Sequence, residues 1–164
     1  MSRPCIIPFA LTVLAFILFP VSGSAADKAF DPCSLLTPAE IQAVVKAPVQ
    51  PGAAKAQSNP MAGANCTYVV GGFGSLNVLV KPLQRGETAE VYKAQFAKMK
   101  MAPADLPGVG DASFFTSPGF NMVQLHTFKA SKYILFTLLV PGAQEPAVRP
   151  MAEKLMKTVV TRIK

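Results

Sequence analysis

The sequence is poor in the residues from which active sites are built: it has one histidine, His126, and nine acidic residues among 164. Nucleophilic hydrolysis needs a serine or cysteine activated by a base that a third group orients, and no serine here lies in a G-x-S-x-G motif. A glycosidase needs two carboxylates across a cleft, whereas Glu40 is predicted in a helix cap and Asp111 in a turn. We therefore predict that the chain is not an enzyme, with an unrecognised hydrolase as the enzymatic alternative.

Signals for nucleotides and nucleic acids are also missing. Gly108–Asp111 is too short for a dinucleotide-binding motif and does not open a helix. The formal net charge is +7, but the lysines are scattered, without the block of like charges that is typical of a nucleic-acid-binding tail. We expect no cofactor and no nucleic-acid partner. The positive charge favours solubility, with attraction to an anionic envelope surface as an alternative role.

A long apolar run occurs only at the start of the chain. Residues 6–21 form this run behind the basic Arg3, and small residues follow at 22–26. This is the pattern of a signal peptide with its cleavage site, and it predicts cleavage after Ala26, or alternatively after Ala25. A membrane anchor needs about 20 apolar residues, so the run is short for one, and no later segment could span a bilayer. We expect no transmembrane anchor in the mature chain.

Removal of the predicted signal peptide, residues 1–26, leaves residues 27–164, a length that suits one domain, as a periplasmic or secreted chain. Cys5 is lost, so Cys33 and Cys66 remain. In an exported protein an even pair of cysteines indicates a disulfide. It would close a loop of about 34 residues and stabilise the fold by about 3.5–4 kcal/mol. A thiol or metal pair is the alternative, although the spacing matches no zinc motif.

Three segments have the features of helices. The first starts at Thr37, where Pro38 takes the first helical position and Glu40 completes a capping box. Residues 88–101 form the second, and three of its apolar side chains are expected to face inward: Val91, Phe96 and Met99. The third opens at Pro146, and its apolar residues recur at helical spacing as a core-facing stripe: Val148, Ala152, Leu155, Val159 and Ile163.

Five segments have the composition of β-strands: residues 66–70, 75–82, 112–116, 120–129 and 133–140. Short links between neighbouring strands favour antiparallel pairing in a meander. The element order is α-β-β-α-β-β-β-α, and we predict an α+β fold with an antiparallel sheet of about five strands packed with helices. Residues 47–64 are rich in proline and glycine and are predicted to form an exposed loop, either functional or mobile.

The first residues of the predicted domain carry a resemblance to a known family. Residues 31–37, D-P-C-S-L-L-T, resemble the D-P-C-x-L-L-[TS] signature that opens a family of exported bacterial domains of unknown function, common among actinobacterial lipoproteins. Residues 66–68 and 106–115 are similar to later parts of that family. The resemblance implies a disulfide between Cys33 and Cys66, and it implies no activity. This chain lacks the lipid-bearing cysteine of the lipoprotein members.

A soft-metal site is the one further chemistry that the composition offers. Met122 and His126 are four residues apart in a predicted strand and so share a face. Met99 and Met101 lie at the end of the second predicted helix, and Met61 lies in the predicted loop. Thioethers with an imidazole suit copper(I), although methionine is also a common core residue. We expect His126 to be a surface-facing or hydrogen-bonded strand residue rather than a catalytic one.

The sequence thus favours an exported, non-enzymatic binding or accessory module. Its partner would be an unknown small ligand, an envelope component or a protein, bound through the sheet face or the 47–64 segment. The alternatives are a periplasmic copper-handling protein that uses methionine and histidine, and an unrecognised hydrolase.

Overall fold

The computed structural model describes residues 30–55 and 60–164. The predicted signal peptide lies outside the described residues. Three α-helices are described: α1 (Pro38–Val45), α2 (Ala89–Lys98) and α3 (Glu145–Arg162). The strands of the described residues are β1 (Ala53–Lys55), β2 (Ala64–Val70), β3 (Gly74–Pro82), β4 (Ala104–Asp105), β5 (Ala112–Gly119), β6 (Met122–Lys129) and β7 (Lys132–Leu139). Short 3-10 helices cover Pro32–Leu35 and Pro60–Ala62.

These strands form one antiparallel sheet in the order β1-β2-β3-β7-β6-β5-β4. The predicted α+β class and antiparallel pairing are confirmed. The predicted meander is wrong, because β3 pairs with β7, Ser75 opposite Leu139 and Pro82 opposite Lys132. After β3 the chain runs through α2 to the far edge at β4, and it then returns strand by strand to the centre.

Within the described residues the sheet has seven strands, where about five were predicted. The additional ones, β1 and β4, are edge strands of three and two residues, too short to show an alternating pattern. β1 and the second 3-10 helix lie within residues 47–64, so the prediction of one continuous loop there is wrong. The segment packs on the protein at Gly52, where an added Cβ would come within 2.6 Å of Cys66 Sγ.

The main core lies between one face of the sheet and helices α1 and α3. Alternate side chains of the central strands are fully buried there, among them Tyr68, Leu76, Val78, Leu125 and Phe136. The predicted stripe of α3 is confirmed, because each of its five side chains is at most 6 % exposed. This helix therefore closes the core over β6 and β7.

Covalent and polar contacts fix the first residues of the domain to this core. Cys33 and Cys66 are joined in a disulfide with their Cα atoms 5.1 Å apart. The Tyr68 hydroxyl donates to the Leu36 carbonyl at 2.6 Å. The predicted capping box of α1 is present, with the Thr37 amide donating to Glu40 at 2.8 Å.

Helix α2 covers part of the opposite face. Its Tyr92 and Phe96 side chains pack on a second, aromatic core built around Phe114 and Phe128. The expected inward face of α2 is therefore partly wrong. Phe96 is inward, but Val91 and Met99 are 42 % and 57 % exposed, because the aromatic side chains of α2 set which side meets the sheet. None of the helices in residues 30–55 and 60–164 is long and apolar enough to cross a membrane.

Candidate functional site

Two phenylalanines are exposed on hairpin turns at one end of the sheet. Phe73 lies in the glycine-rich turn between β2 and β3 and is 95 % exposed, and Phe120 lies in the turn between β5 and β6 and is 92 % exposed. Three strand spacings separate the two turns, which places them about 14 Å apart. Single exposed apolar side chains are ordinary, but neighbouring ones around a depression mark an interaction surface.

A shallow depression of about 170 Å³ lies between the two turns. Phe73, Phe120 and Asn121 line it, together with residues 139–144, which begin at the last residue of β7. We call the surface formed by Phe73, Phe120 and residues 139–144 the apolar end.

The β5–β6 turn holds Phe120 in a conformation that aromatic residues rarely adopt. Its φ is 57° and that of Asn121 is 58°, and two-residue hairpin turns with two positive φ values favour asparagine and glycine. Phe120 is the only aromatic among the non-glycine residues with positive φ in the described part of the chain. Neither turn geometry nor core packing accounts for a phenylalanine at this position.

Negative charge at the apolar end is neutralised. Of the acidic residues that the structure describes, Glu145 is the one that directly follows residues 139–144, in the first turn of α3. Its Oε1 atom lies 2.8 Å from Arg149 Nη2 and 2.6 Å from Ser117 Oγ. The Ser117 hydrogen bond, followed by the contacts with Arg149, lowers the pKa of Glu145.

Lys46 adds positive charge beside the same surface. It is the C-cap of α1, exposed, and it makes none of the ion pairs found among the described residues. The chain just after it contacts the Phe73 turn, since the Gly71 amide donates to the Pro48 carbonyl at 2.8 Å. The apolar end is therefore flanked by a cation, Lys46, and by a paired carboxylate, Glu145.

Carboxylates are concentrated at the opposite end of the sheet. There Asp111 pairs with Lys129 at 3.2 Å, and Glu87 pairs with Lys81 at the end of β3. The Gln84 amide and the Lys81 ammonium group lower the pKa of Glu87 to about 2. Both acidic side chains have local structural partners.

His126 is fully buried beneath α2. Its Nδ1 atom lies 2.7 Å from the Tyr133 hydroxyl and its Nε2 atom lies 2.8 Å from Thr116 Oγ1. Phe114 stacks on the ring at a centroid distance of 4.6 Å. The prediction of a hydrogen-bonded strand residue is therefore confirmed. The alternative of a surface-facing residue is wrong, because α2 covers the ring.

One tautomer satisfies every polar group around His126. With the proton on Nε2, Tyr133 donates to Nδ1 and His126 donates to Thr116, whose hydroxyl donates to Gln124 Oε1 at 3.3 Å. Burial lowers the pKa of His126 to about 4 and raises that of Tyr133. The imidazole is therefore neutral at neutral pH, with both nitrogens engaged.

The predicted methionine ligands have no free imidazole nitrogen with which to share a metal ion. Met122 shares the face of β6 with His126, as expected from the strand period, and Met99 is 57 % exposed at the end of α2. The nitrogens of His126 are taken by hydroxyl groups. In residues 30–55 and 60–164 no group of three or more histidine, cysteine, aspartate or glutamate side chains could hold a metal ion.

The residues that sequence reasoning missed are Phe73 and Phe120. The sequence pattern places Phe73 in the link between the predicted strands 66–70 and 75–82, and Phe120 at the start of the predicted strand 120–129. The available signal was their setting: glycine precedes each ring, at Gly72 and Gly119, in a turn whose backbone leaves the side chain no surface to pack against.

Comparison with known proteins adds no relative, since no family model, no curated protein and no solved structure matches the chain.

Proposed function

We propose that this chain is an exported, non-enzymatic binding module that contacts its partner through the apolar end. The observation that carries the proposal is the pair of rings, Phe73 and Phe120, at 95 % and 92 % exposure around one depression. Exposed aromatic side chains cost solubility and invite aggregation. Their presence on two separate turns is explained by a partner that covers them.

Three further features support export, and a fourth supports a non-enzymatic role. The signal-peptide pattern of residues 1–26, the Cys33–Cys66 disulfide and the resemblance of residues 31–37 to exported bacterial domains all favour an oxidising compartment outside the cytoplasm. The contacts of His126 favour a structural role, since both ring nitrogens are hydrogen-bonded to hydroxyl groups.

Intact-mass spectrometry of the exported protein tests the predicted export signal. We expect a chain that begins at Asp27.

Site-specific photocrosslinking tests the surface. We would place p-benzoyl-phenylalanine at position 73, 120 or 91 in cells that export the protein, irradiate them, and analyse the adducts by mass spectrometry. Adducts from positions 73 and 120 are expected. Val91 is the control, because it is also exposed and apolar but lies in the first turn of α2, next to Tyr92, which packs on Phe128 and Tyr133 towards the opposite end of the sheet. Equal yields from all three positions, or none from 73 and 120, would contradict the proposal.

A further inference from the structure

The apolar end presents two projecting rings, and no neighbouring side chains enclose either of them. Protein interfaces of standard size bury about 800 Å² per partner, with aromatic anchors enclosed by a ring of neighbouring side chains. Here each ring is more than nine-tenths exposed, and the two turns are about 14 Å apart. A fluid lipid surface needs no matching pockets, and it accepts separate rings at the same depth.

The charges of the apolar end fit a negatively charged surface. Lys46 is exposed beside the Phe73 turn, and the carboxylate of Glu145 is neutralised by Arg149 and Ser117. Residues 1–26 carry Arg3 as their only charged side chain, so the predicted mature chain has a net charge of +7 − 1 = +6. Basic side chains near an anionic membrane are attracted to it, and phenylalanine is one of the side chains that surface-binding proteins bury in the headgroup region.

The backbone of Phe120 provides an independent reason to expect a function for its ring. A φ of 57° is unfavourable for a phenylalanine, and the exposed ring gains nothing from the core in return. Strain kept at an exposed position is explained when the side chain acts outside the folded domain.

We propose, resting on the binding function argued above, that the partner of the apolar end is the surface of a bilayer containing anionic phospholipid, into which Phe73 and Phe120 insert while Lys46 meets the headgroups. The binding is peripheral and reversible, because two rings bury less apolar surface than stable anchoring needs. It weakens as the ionic strength rises.

The absence of tryptophan from the chain gives a direct assay. Three single-tryptophan proteins, Phe73→Trp, Phe120→Trp and the control Val91→Trp, would be mixed with vesicles of phosphatidylcholine alone or of phosphatidylcholine with phosphatidylglycerol. We expect blue-shifted emission and quenching by brominated lipid for positions 73 and 120 in the anionic vesicles only. The Val91→Trp protein should bind the vesicles equally, while its emission stays unchanged.

Sedimentation with the same vesicles measures the contribution of each side chain. Phe73→Ser and Phe120→Asn should each lower the partition coefficient at least about tenfold, as expected for an apolar side chain that leaves water. Lys46→Gln should lower it about fivefold in anionic vesicles and leave neutral ones unchanged. Val91→Ser should change it less than about twofold, as expected for a side chain away from the membrane.

Other outcomes overturn the lipid proposal in distinguishable ways. No blue shift with anionic vesicles, together with protein adducts from positions 73 and 120 in the photocrosslinking experiment, would reject the lipid and keep the binding module. A blue shift that grows with protein concentration in the absence of vesicles would identify a second copy of the chain as the partner. Quenching at position 91 equal to that at position 73 would show that the apolar end does not orient the protein on the membrane.

Discussion

The Tyr133 hydroxyl and His126 Nδ1 are 2.7 Å apart, on neighbouring strands β7 and β6, with no solvent contact at the imidazole. This bond joins the buried histidine to the aromatic core beneath α2. Because burial lowers the pKa of His126 to about 4, the folded protein holds the imidazole neutral under conditions in which an unfolded chain would protonate it.

The buried imidazole predicts a loss of stability at mildly acidic pH. The unfolded chain binds the proton near pH 6.5 and the folded chain only near pH 4, so the contribution is complete above pH 6.5 and is lost as the pH falls towards 4. A shift of this size corresponds to about 3 kcal/mol. Urea denaturation at pH 7, 5.5 and 4.5 measures it.

The variant His126→Gln is the control, since the chain has no second histidine. It is expected to be less stable at pH 7, but its free energy of unfolding should change little between pH 6.5 and 4.5. Carboxylates act in a lower range: the pKa of Glu40 is held at about 2, chiefly by its hydrogen bond with Arg162, so its contribution is lost below pH 4.5. Equal slopes for both proteins would show that His126 is not the titrating group.

The turn between β5 and β6 predicts a substitution that stabilises the fold. Phe120→Asn keeps the positive φ of 57° but replaces an aromatic residue with one that tolerates this region. We expect the free energy of unfolding to rise by about 0.5–1 kcal/mol. Phe73→Ser, which removes an equally exposed ring, should change it by less than about 0.5 kcal/mol. Urea denaturation of the two variants checks the difference, and a loss of stability in Phe120→Asn would mean that the ring packs on the protein.

Local sequence patterns correctly predicted the start of α1 and the buried face of α3. The cap at Thr37 and Glu40 forms as the spacing indicates, and the α3 stripe that includes Leu155 is buried. The pairing of β3 with β7 could not be predicted from local patterns, because short links favour neighbours in sequence and leave the non-local pair unspecified. The edge strands β1 and β4 are too short for a periodic signal.

The polar and exposed residues were harder to predict for a different reason. β6 is buried on both faces, with Leu125 on one and His126 on the other, so its alternation does not identify a solvent face. On α2, Val91 and Phe96 are both apolar, and only the packing of the Phe96 ring on the sheet decides which is inward. Phe73 is exposed because no described element of the core covers its turn. The residue type alone predicts the opposite, since phenylalanine is usually buried.

The disulfide predicts a measurable change in stability. Cys33 and Cys66 are 33 residues apart, so the double variant Cys33→Ser with Cys66→Ser frees a loop of that size in the unfolded chain. The expected loss is about 3–4 kcal/mol. Guanidinium denaturation of the variant, with reduced wild-type protein as the control, should give similar midpoints for both. A variant as stable as the oxidised wild-type protein would show that the bond is not formed.

Helix α3 closes the core, and its buried and exposed side chains predict different effects of substitution. Leu155 is 1 % exposed and packs against the sheet, whereas Lys157, two residues later, has a side chain that is 54 % exposed and pairs with Glu153 on the same helix. Deleting a buried leucine side chain removes its transfer energy and leaves a cavity, so Leu155→Ala should lower the free energy of unfolding by about 2–5 kcal/mol. Lys157→Ala loses only an exposed ion pair and should lie within about 0.5 kcal/mol of wild type.

Urea denaturation at unchanged m-value compares the two variants directly, because an equal m-value shows that both unfold the same surface. Since both substitutions place alanine in the same helix, differences in helix propensity nearly cancel, and the remaining difference reports burial. Small, equal effects would mean that α3 does not close the core over β6 and β7. The stripe of α3 would then be a second apolar surface that is free to meet a membrane or a partner, and in the vesicle experiment Leu155→Ala would weaken binding as Phe73→Ser does.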